Sequence, residues 1–292
     1  MKVGFTISKI VIIQSLESHE VRTGEILCEY LTSLIDKFSP EIQVVLLDCY
    51  SAHEFKNILL RLIETAASDG ERPLLHVECH GSQTVGLEFE NGSELPWDEL
   101  GDLLYQLNIA SRFNLFVSVA ACYGAYLNGQ FSPLRPSPAF CIVAPTEEVD
   151  PSDVLRGFRE FYSNLLRTGD AGIAANEIVK IQLSSGQWFS QLAEEWFIQL
   201  IENYVTTHLT HEAFEVWVRS IEQKIRDDSK FTNLDWVKSS LLLQNREGLT
   251  GKYFDSFFCI NEVPEGRDRF VATRARVNAT IDALRATGRY IV

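Results

Sequence analysis

The stretch RPLLHVECHGSQ, from Arg72 to Gln83, begins as an apolar, strand-like run. The run breaks at His80, which is followed by Gly81. A second stretch, NLFVSVAACYG from Asn114 to Gly124, is built in the same way and ends in a cysteine, a tyrosine and a glycine. Short apolar runs bounded by glycine are typical of the buried strands of a parallel sheet. The two stretches therefore predict two core strands, each followed by a residue that can take part in chemistry.

The chain around these stretches alternates strand-like and helical segments, which predicts a mostly parallel sheet with crossover helices. Helical spacing of apolar residues covers residues 19–38 and 51–70, with Ser51 as an N-cap and Gly70 as a C-terminal stop. The Asn91-Gly92 pair predicts a hairpin turn, and a helix is predicted from Trp97 to about Ser111. The predicted strands are Lys9 to Ser15, Ile42 to Cys49, Pro73 to His80, Asn114 to Cys122 and Ala139 to Pro145.

From Pro151 onward the pattern is helical, with stripes of aromatic and aliphatic residues that we expect to form core. No internal repeat or low-complexity linker separates this part from the sheet. We place an α/β domain at residues 1–182 and a mainly helical C-terminal region, packed on it, at residues 183–292. The expected core stripes are Phe189, Leu192, Trp196, Leu200 and Tyr204 in one helix and Phe214, Trp217, Ile221 and Ile225 in the next.

Composition restricts the classes of function. The chain has 292 residues, 46% of them apolar, and a net charge of −14, which is typical of a globular protein that repels phosphate backbones. No apolar segment is long enough to span a bilayer, and the short apolar run near the start reads as a strand rather than a signal peptide. The six cysteines include no CxxC pair, which favours reduced thiols in the cytoplasm. Nucleic acid and membrane are therefore not expected as partners.

His80 and Cys122 follow the two core strands, and ligands of an open parallel sheet gather at the carboxyl ends of its strands. A thiol becomes a strong nucleophile once it is deprotonated, and a nearby histidine can take that proton and later give it to a leaving amine. Gly81 and Gly124 allow sharp turns at these strand ends. The backbone amides of Gly81 and Cys122 are candidates for stabilising a developing oxyanion.

His-Gly after one strand and Ala-Cys-x-Gly after the next resemble the caspase-like cysteine peptidases, which include caspases, separases and prokaryotic CHAT domains. Caspases carry their histidine roughly 50 residues before the cysteine, and here the separation is 122 − 80 = 42. The GLEFENGSELPWDEL segment between them is similar to the CHAT-type insert. The resemblance covers residues 9 to 180 and implies an α/β/α sandwich for the domain at residues 1–182.

The resemblance implies that Cys122 is the nucleophile, that His80 is the general base and acid, and that the amides of Gly81 and Cys122 form the oxyanion hole. It implies a cytoplasmic endopeptidase that needs no cofactor or metal and acts on a protein or peptide substrate. Regulated proteolysis in a prokaryotic defence or stress response, with an activating protein partner that docks on the helical C-terminal region, is also implied by the resemblance alone.

Two positions beside the nucleophile depart from the family pattern. Caspases have glutamine before the cysteine, where this chain has Ala121, and metacaspases and separases have an acidic residue two positions before it, where this chain has Ala120. Neither acidic nor basic specificity is therefore inherited. We expect a small or apolar residue before the cleaved bond.

Alternative interpretations remain for the same residues. His76, Glu78 and His80 share one face of an ideal strand and could bind a metal, although the Pro-Cys-x-x-Cys motif of zinc deaminases is missing. Glu78 could instead be a buried acid bonded to a helix residue, or it could orient His80. The other five cysteines, Cys28, Cys49, Cys79, Cys141 and Cys259, are expected to serve packing.

Two other functions remain open. The protein could be a catalytically inactive peptidase-like scaffold or binding module, or a flavodoxin-like nucleotide binder that uses the same strand ends. The proline-containing segment from Gly129 to Phe140 is interpreted as a surface loop, and the resemblance implies that it forms a wall of a substrate groove.

Overall fold

A computed structural model describes residues 5–130, 135–228 and 247–291 of the protein, and for residues 221–228 it describes the backbone alone. The described residues form two compact units, one of residues 5–130 and 137–193 and one of residues 135–136 and 194–291. The first unit contains the strands described below and the second is mainly helical. The first unit ends at Ala193, eleven residues beyond the boundary predicted at residue 182.

The first unit is built on a six-stranded sheet in the order β2-β1-β3-β7-β8-β9, with a separate three-stranded sheet β4-β5-β6. The first five strands of the large sheet run parallel, and β9 is antiparallel to β8. This arrangement confirms the predicted α/β class with a mostly parallel sheet. In the described residues the strands are β1 (Lys9–Gln14), β2 (Gln43–Asp48), β3 (Pro73–Glu78), β4 (His80–Ser82), β5 (Gly86–Glu88), β6 (Glu94–Leu95), β7 (Phe116–Ala120), β8 (Cys141–Pro145) and β9 (Trp188–Leu192).

The central strands form the core of the first unit. Every residue of β3, β7 and β8 is buried, and so are five of the six residues of β1. Parallel strands covered on both faces by helices need apolar side chains on both faces, which explains why their sequences are continuous apolar runs. By contrast β2, at the edge of the sheet, is only half-buried.

The helices of the first unit are α1 (Thr23–Phe38), α2 (Ala52–Ser68), α3 (Trp97–Ala110), α4 (Pro151–Thr168) and α5 (Ala171–Ile178). Helix α4 packs against α1 and α5, and α2 packs against α3. The predicted cap of α2 is confirmed, because the Oγ of Ser51 accepts a hydrogen bond of 3.2 Å from the backbone N–H of Glu54. Gly70, just after this helix, has φ +72°, the left-handed conformation that glycine adopts without strain.

The strand predicted from Pro73 to His80 ends two residues early, at Glu78, and His80 opens the small sheet instead. There β5 pairs with β4 on one side and with β6 on the other. The predicted hairpin at Asn91-Gly92 is confirmed, with Gly92 at φ +77°. His80 therefore lies at the junction of the two sheets, held by strand pairing rather than in a free loop.

The helix predicted to carry the stripe from Phe189 to Tyr204 is wrong in its first part. Trp188–Leu192 forms β9, which pairs with β8 over five residue pairs. The Trp188 ring packs where Gly157 of α4 has no side chain, since a Cβ at Gly157 would lie 2.1 Å from that ring. Pairing with the exposed edge of β8 therefore overrides the helical spacing of Phe189 and Leu192, which are half-buried strand residues.

The helix that follows buries a different face from the predicted one. Its buried residues include Phe197, Ile201 and Val205, one position after Trp196, Leu200 and Tyr204, which are only half-buried. Because the helix begins at Ala193, its core stripe is set from that residue rather than from Phe189.

The second unit consists mainly of helices around an aromatic core. The helices are α6 (Ala193–His208), α7 (His211–Asp228), a π-helical turn (Gly248–Lys252), α8 (Tyr253–Phe257), α9 (Gly266–Arg269) and α10 (Val271–Ala286). Phe197 of α6 packs against Phe254, Phe257 and Phe258, with ring centroids 4.9 to 5.4 Å apart. In the described part of the chain, no helix combines the length and apolarity needed to cross a membrane.

The stripe predicted on α7 is confirmed at one residue and wrong at another. Phe214 is buried, whereas the side chain of Trp217 is 40% exposed and Val218 is buried in its place. The side chains of Ile221 and Ile225 lie outside the described residues.

Candidate active site

The structure brings His80 and Cys122 to one cavity of about 100 Å³ at the carboxyl ends of β3 and β7. These strands are neighbours, and Glu78 and Ala120 form the last residue pair between them. His80 and Cys122 each follow two residues after that pair. The cavity is lined by Leu16, Glu20, Val21, Thr23, Glu78, Cys79, His80, Ala120, Ala121, Cys122, Val149, Pro151 and Val154.

The imidazole of His80 is half-exposed and pairs with a carboxylate. Its Nε2 lies 2.9 Å from Oε1 of Glu20, in the segment between β1 and α1. The other carboxylate oxygen of Glu20 accepts a 2.7 Å hydrogen bond from the backbone N–H of Glu17. A ring that donates Nε2–H to a carboxylate keeps Nδ1 free to accept a proton, and the carboxylate stabilises the imidazolium that forms.

Sequence reasoning missed Glu20 as a site residue. It falls within the helix predicted over residues 19–38, but α1 begins only at Thr23, so Glu20 lies in an irregular segment six residues after β1 ends. The available signal was positional, because the carboxyl end of β1 also borders the strand ends that carry the reactive residues.

Cys122 differs from the buried cysteines of the chain. All six thiols are free, and Cys49, Cys79, Cys141 and Cys259 are buried, as their predicted packing role requires. Burial raises the pKa of the Cys49 thiol to about 11 and that of Cys259 to about 12, and it raises the pKa of Cys79 and Cys141 strongly as well. These four thiols are therefore protonated and inert at neutral pH.

Cys28 is half-buried like Cys122 but does not line the cavity. Burial raises its pKa too. Cys122 is thus the accessible thiol that lies beside a histidine at this site.

A sharp turn follows Cys122. Tyr123 has φ +59°, a left-handed conformation that is unusual for a side chain of this size, and its N–H donates to the carbonyl of Glu147 at 3.1 Å. At Gly124 a Cβ would lie 2.9 Å from Val119 and 3.0 Å from Ala144, so only glycine fits. The turn ends the strand abruptly and leaves Cys122 at the cavity.

Gly81 allows β4 to approach the backbone of Cys122. A Cβ at this position would lie 2.3 Å from the carbonyl oxygen of Cys122 and 3.1 Å from the Cβ of Ala121. The backbone of the His-Gly segment therefore contacts the backbone of the cysteine segment directly. The predicted oxyanion-hole residues are adjacent in space, and their role in binding an oxyanion stays a prediction.

Glu78 is bonded to residues other than His80. Its Oε2 accepts a 2.6 Å hydrogen bond from the hydroxyl of Thr23, the first residue of α1, and its Oε1 lies 2.9 Å from Nε2 of His76. Glu78 is 2% exposed and His76 is fully buried. Of the two structural roles considered for Glu78, the structure shows a buried acid bonded to a helix residue, whereas His80 pairs with Glu20.

The network continues from His76 into the core. Its Nδ1 lies 2.9 Å from the hydroxyl of Tyr162, which donates to the hydroxyl of Ser118 at 3.1 Å. Burial strongly raises the pKa of Tyr162, so this hydroxyl stays protonated. Both ring nitrogens of His76 are therefore engaged with protein atoms. Among the side chains that the structure describes, no group of three or more His, Cys, Asp and Glu is arranged to hold a metal ion.

The proline-containing segment is described in part. Residues 131–134 lie outside the described residues. Within the described part of the segment, the carbonyl of Ser137 accepts a hydrogen bond of 3.1 Å from the side chain of Asn108. Its role as a groove wall stays a prediction.

Comparison of the sequence with models of known protein families and with curated proteins finds no match.

Proposed function

We propose that this protein is a caspase-like cysteine endopeptidase in which His80 activates Cys122. The observation that carries the proposal is the placement of these two side chains beyond neighbouring parallel strands, where both line the same cavity. The pairing of His80 with Glu20 supports it further, because a carboxylate beside the imidazole orients the ring and stabilises its protonated form.

The proposed reaction begins with transfer of the Cys122 thiol proton to Nδ1 of His80. The thiolate attacks the carbonyl carbon of the peptide bond, and the backbone amides of Gly81 and Cys122 stabilise the oxyanion of the tetrahedral intermediate. His80 then donates its proton to the leaving amine as the C–N bond breaks, which leaves a thioester on Cys122. A water that gives its proton to His80 hydrolyses this thioester and restores the thiol.

Glu20 acts through His80 and does not touch the substrate in this scheme. Its carboxylate holds Nε2, which leaves Nδ1 as the nitrogen that accepts the proton, and it stabilises the imidazolium while the ring carries the extra proton. On the strength of the family resemblance, we extend the proposal to regulated proteolysis in the cytoplasm of a prokaryote. The substrate would be a protein, and an activating partner would control its cleavage.

The proposal is tested by digesting a peptide library derived from a proteome and sequencing the new termini. We expect wild type to release termini that are absent with Cys122→Ala and with His80→Ala. Cys28→Ala, which removes the other half-buried thiol, is the matched control and keeps the wild-type cleavage pattern. Identical peptide patterns for wild type and Cys122→Ala contradict the proposal and favour a scaffold with a peptidase-like fold. Nucleotide binding that survives both substitutions favours the nucleotide-binding alternative.

A further inference from the structure

The residues that line the cavity beside Cys122 are mostly apolar and include two acidic side chains. No lysine or arginine is among its described lining residues, whereas two carboxylates, Glu20 and Glu78, are. Glu20 is engaged with His80, which leaves Glu78 as the second charge. The apolar lining comes from Leu16, Val21, Ala120, Ala121, Val149, Pro151 and Val154.

Strand register places Glu78 close to the reacting groups. Glu78 and Ala120 are directly paired on β3 and β7. Each lies two residues before a proposed catalytic residue, Glu78 before His80 and Ala120 before Cys122. β3 and β7 end at these two positions, and both residues line the cavity together with His80 and Cys122. Ala120 contributes little volume there, and the neighbouring strand supplies a carboxylate.

The carboxylate of Glu78 keeps capacity for a further ligand. A carboxylate has about four acceptor sites on its two oxygens. Thr23 occupies one site of Oε2, and His76 contacts Oε1. Thr23 is uncharged, and in the described residues His76 is the one basic side chain within ion-pair distance of Glu78. His76 approaches only Oε1, so a positively charged group that enters the cavity can form a charge-assisted hydrogen bond at an acceptor site that Thr23 and His76 leave open.

We propose that this cavity receives the side chain of the residue before the cleaved bond and that Glu78 selects lysine or arginine there. The inference rests on the proposed peptidase function. The aliphatic stem of a basic residue packs against the apolar walls, and its cationic end reaches Glu78. This replaces the sequence-based expectation of a small or apolar residue, which considered Ala120 and Ala121 and not the strand beside them.

The test uses three peptidyl acyloxymethyl ketones that differ only in the residue next to the electrophile, namely lysine, norleucine or aspartate. Norleucine has the aliphatic stem of lysine without its charge. We expect the lysine probe to label Cys122 of wild type at least tenfold faster than the norleucine probe, and the aspartate probe to be the slowest. Equal rates for lysine and norleucine, or a faster norleucine probe, overturn the assignment of Glu78 while labelling of Cys122 upholds the peptidase function.

Variants locate the preference at Glu78. In Glu78→Gln the lysine preference is expected to disappear, with the norleucine rate within threefold of wild type. The double variant Glu78→Gln with Ala120→Asp restores a carboxylate at the paired position and is expected to recover part of the preference. If Glu78→Gln does not fold, the rates of the lysine and norleucine probes with wild type decide whether the cavity prefers a basic residue. A lysine preference retained by folded Glu78→Gln overturns the assignment, and absence of Cys122 labelling by all three probes contradicts the peptidase function and this inference together.

Discussion

His80 and Cys122 owe their proximity to where two strands end. Each residue follows a buried apolar run. Gly81, after His80, permits a close approach of β4 to the cysteine segment, and Gly124 fits the tight turn after Cys122. The two strands could be predicted from the sequence because apolar runs and glycines mark them, although each strand ends two residues earlier than predicted. The partner of His80 could not be predicted, since Glu20 lies in an irregular segment whose path depends on tertiary contacts.

Replacing Glu20 by glutamine tests the role of its charge. Glu20→Gln keeps a hydrogen-bond acceptor near Nε2 of His80 but cannot stabilise an imidazolium electrostatically. We expect the rate constant for alkylation of Cys122 by a peptidyl ketone to fall roughly ten- to hundredfold, the loss that corresponds to a charge-assisted hydrogen bond. Glu17→Gln, in the same segment, is the control and should react like wild type. A wild-type rate in Glu20→Gln would show that the carboxylate is not needed.

Among the elements, β4 approaches the cysteine segment so closely that there is no room for a single methyl group at Gly81. In Gly81→Ala the new Cβ would meet the carbonyl oxygen of Cys122, which is backbone and cannot rotate away. We expect the free energy of unfolding to fall by about 1–3 kcal/mol and labelling of Cys122 to slow. Gly129→Ala is the matched control, because nothing lies within 4 Å of its Cβ position. Urea titrations measure the stability, and an unchanged midpoint for Gly81→Ala would contradict the described packing.

Asp153, in the first turn of α4, forms hydrogen bonds with Ser184 in the segment before β9. One carboxylate oxygen accepts 2.7 Å hydrogen bonds from the N–H and the hydroxyl of Ser184, and these bonds lower the pKa of Asp153. A carboxyl with a lowered folded-state pKa contributes stability above its unfolded pKa, near 3.9, and this contribution is lost as the pH falls through the folded value. Asp153→Asn is therefore expected to be less stable than wild type at pH 7, with the difference shrinking below pH 4.

Urea midpoints measured at pH 7 and at pH 3 check this prediction. Ser152→Ala, at the exposed neighbouring position, controls for changes in the helix itself. A difference between wild type and Asp153→Asn that is the same at both pH values would show that the charge of Asp153 does not stabilise the fold.

Elements were predictable where one local signal was present and unopposed. The core strands, the cap at Ser51 and the hairpin at Gly92 were found because β-branched runs, capping residues and Asn-Gly turns act locally. β9 was missed because its aromatic residues also fit a helical period, and its pairing partner β8 lies more than 40 residues earlier in the sequence. Long-range pairing of this kind is not encoded in local periodicity.

At the scale of the whole molecule, the switch in strand order between β1 and β3 concentrates the reactive side chains on one edge of the sheet. The segment after β1 brings Glu20, the end of β3 brings Glu78 and His80, and the end of β7 brings Cys122. Four segments far apart in sequence, counting the start of α4, thereby line one cavity. The α/β class could be predicted from the alternation of strands and helices. The cavity could not, because it depends on the register between β3 and β7.

The central claim is that His80 makes Cys122 a nucleophile toward peptide carbonyls. The measurement that tests it most directly is the rate of covalent labelling by a peptidyl acyloxymethyl ketone, with the modified residue mapped by mass spectrometry. The account predicts modification at Cys122 in wild type, none in Cys122→Ala, and a rate at least a hundredfold lower in His80→Ala, the size of a general base's contribution. Labelling of His80→Ala at the wild-type rate, or modification of Cys28 in preference to Cys122, would contradict it.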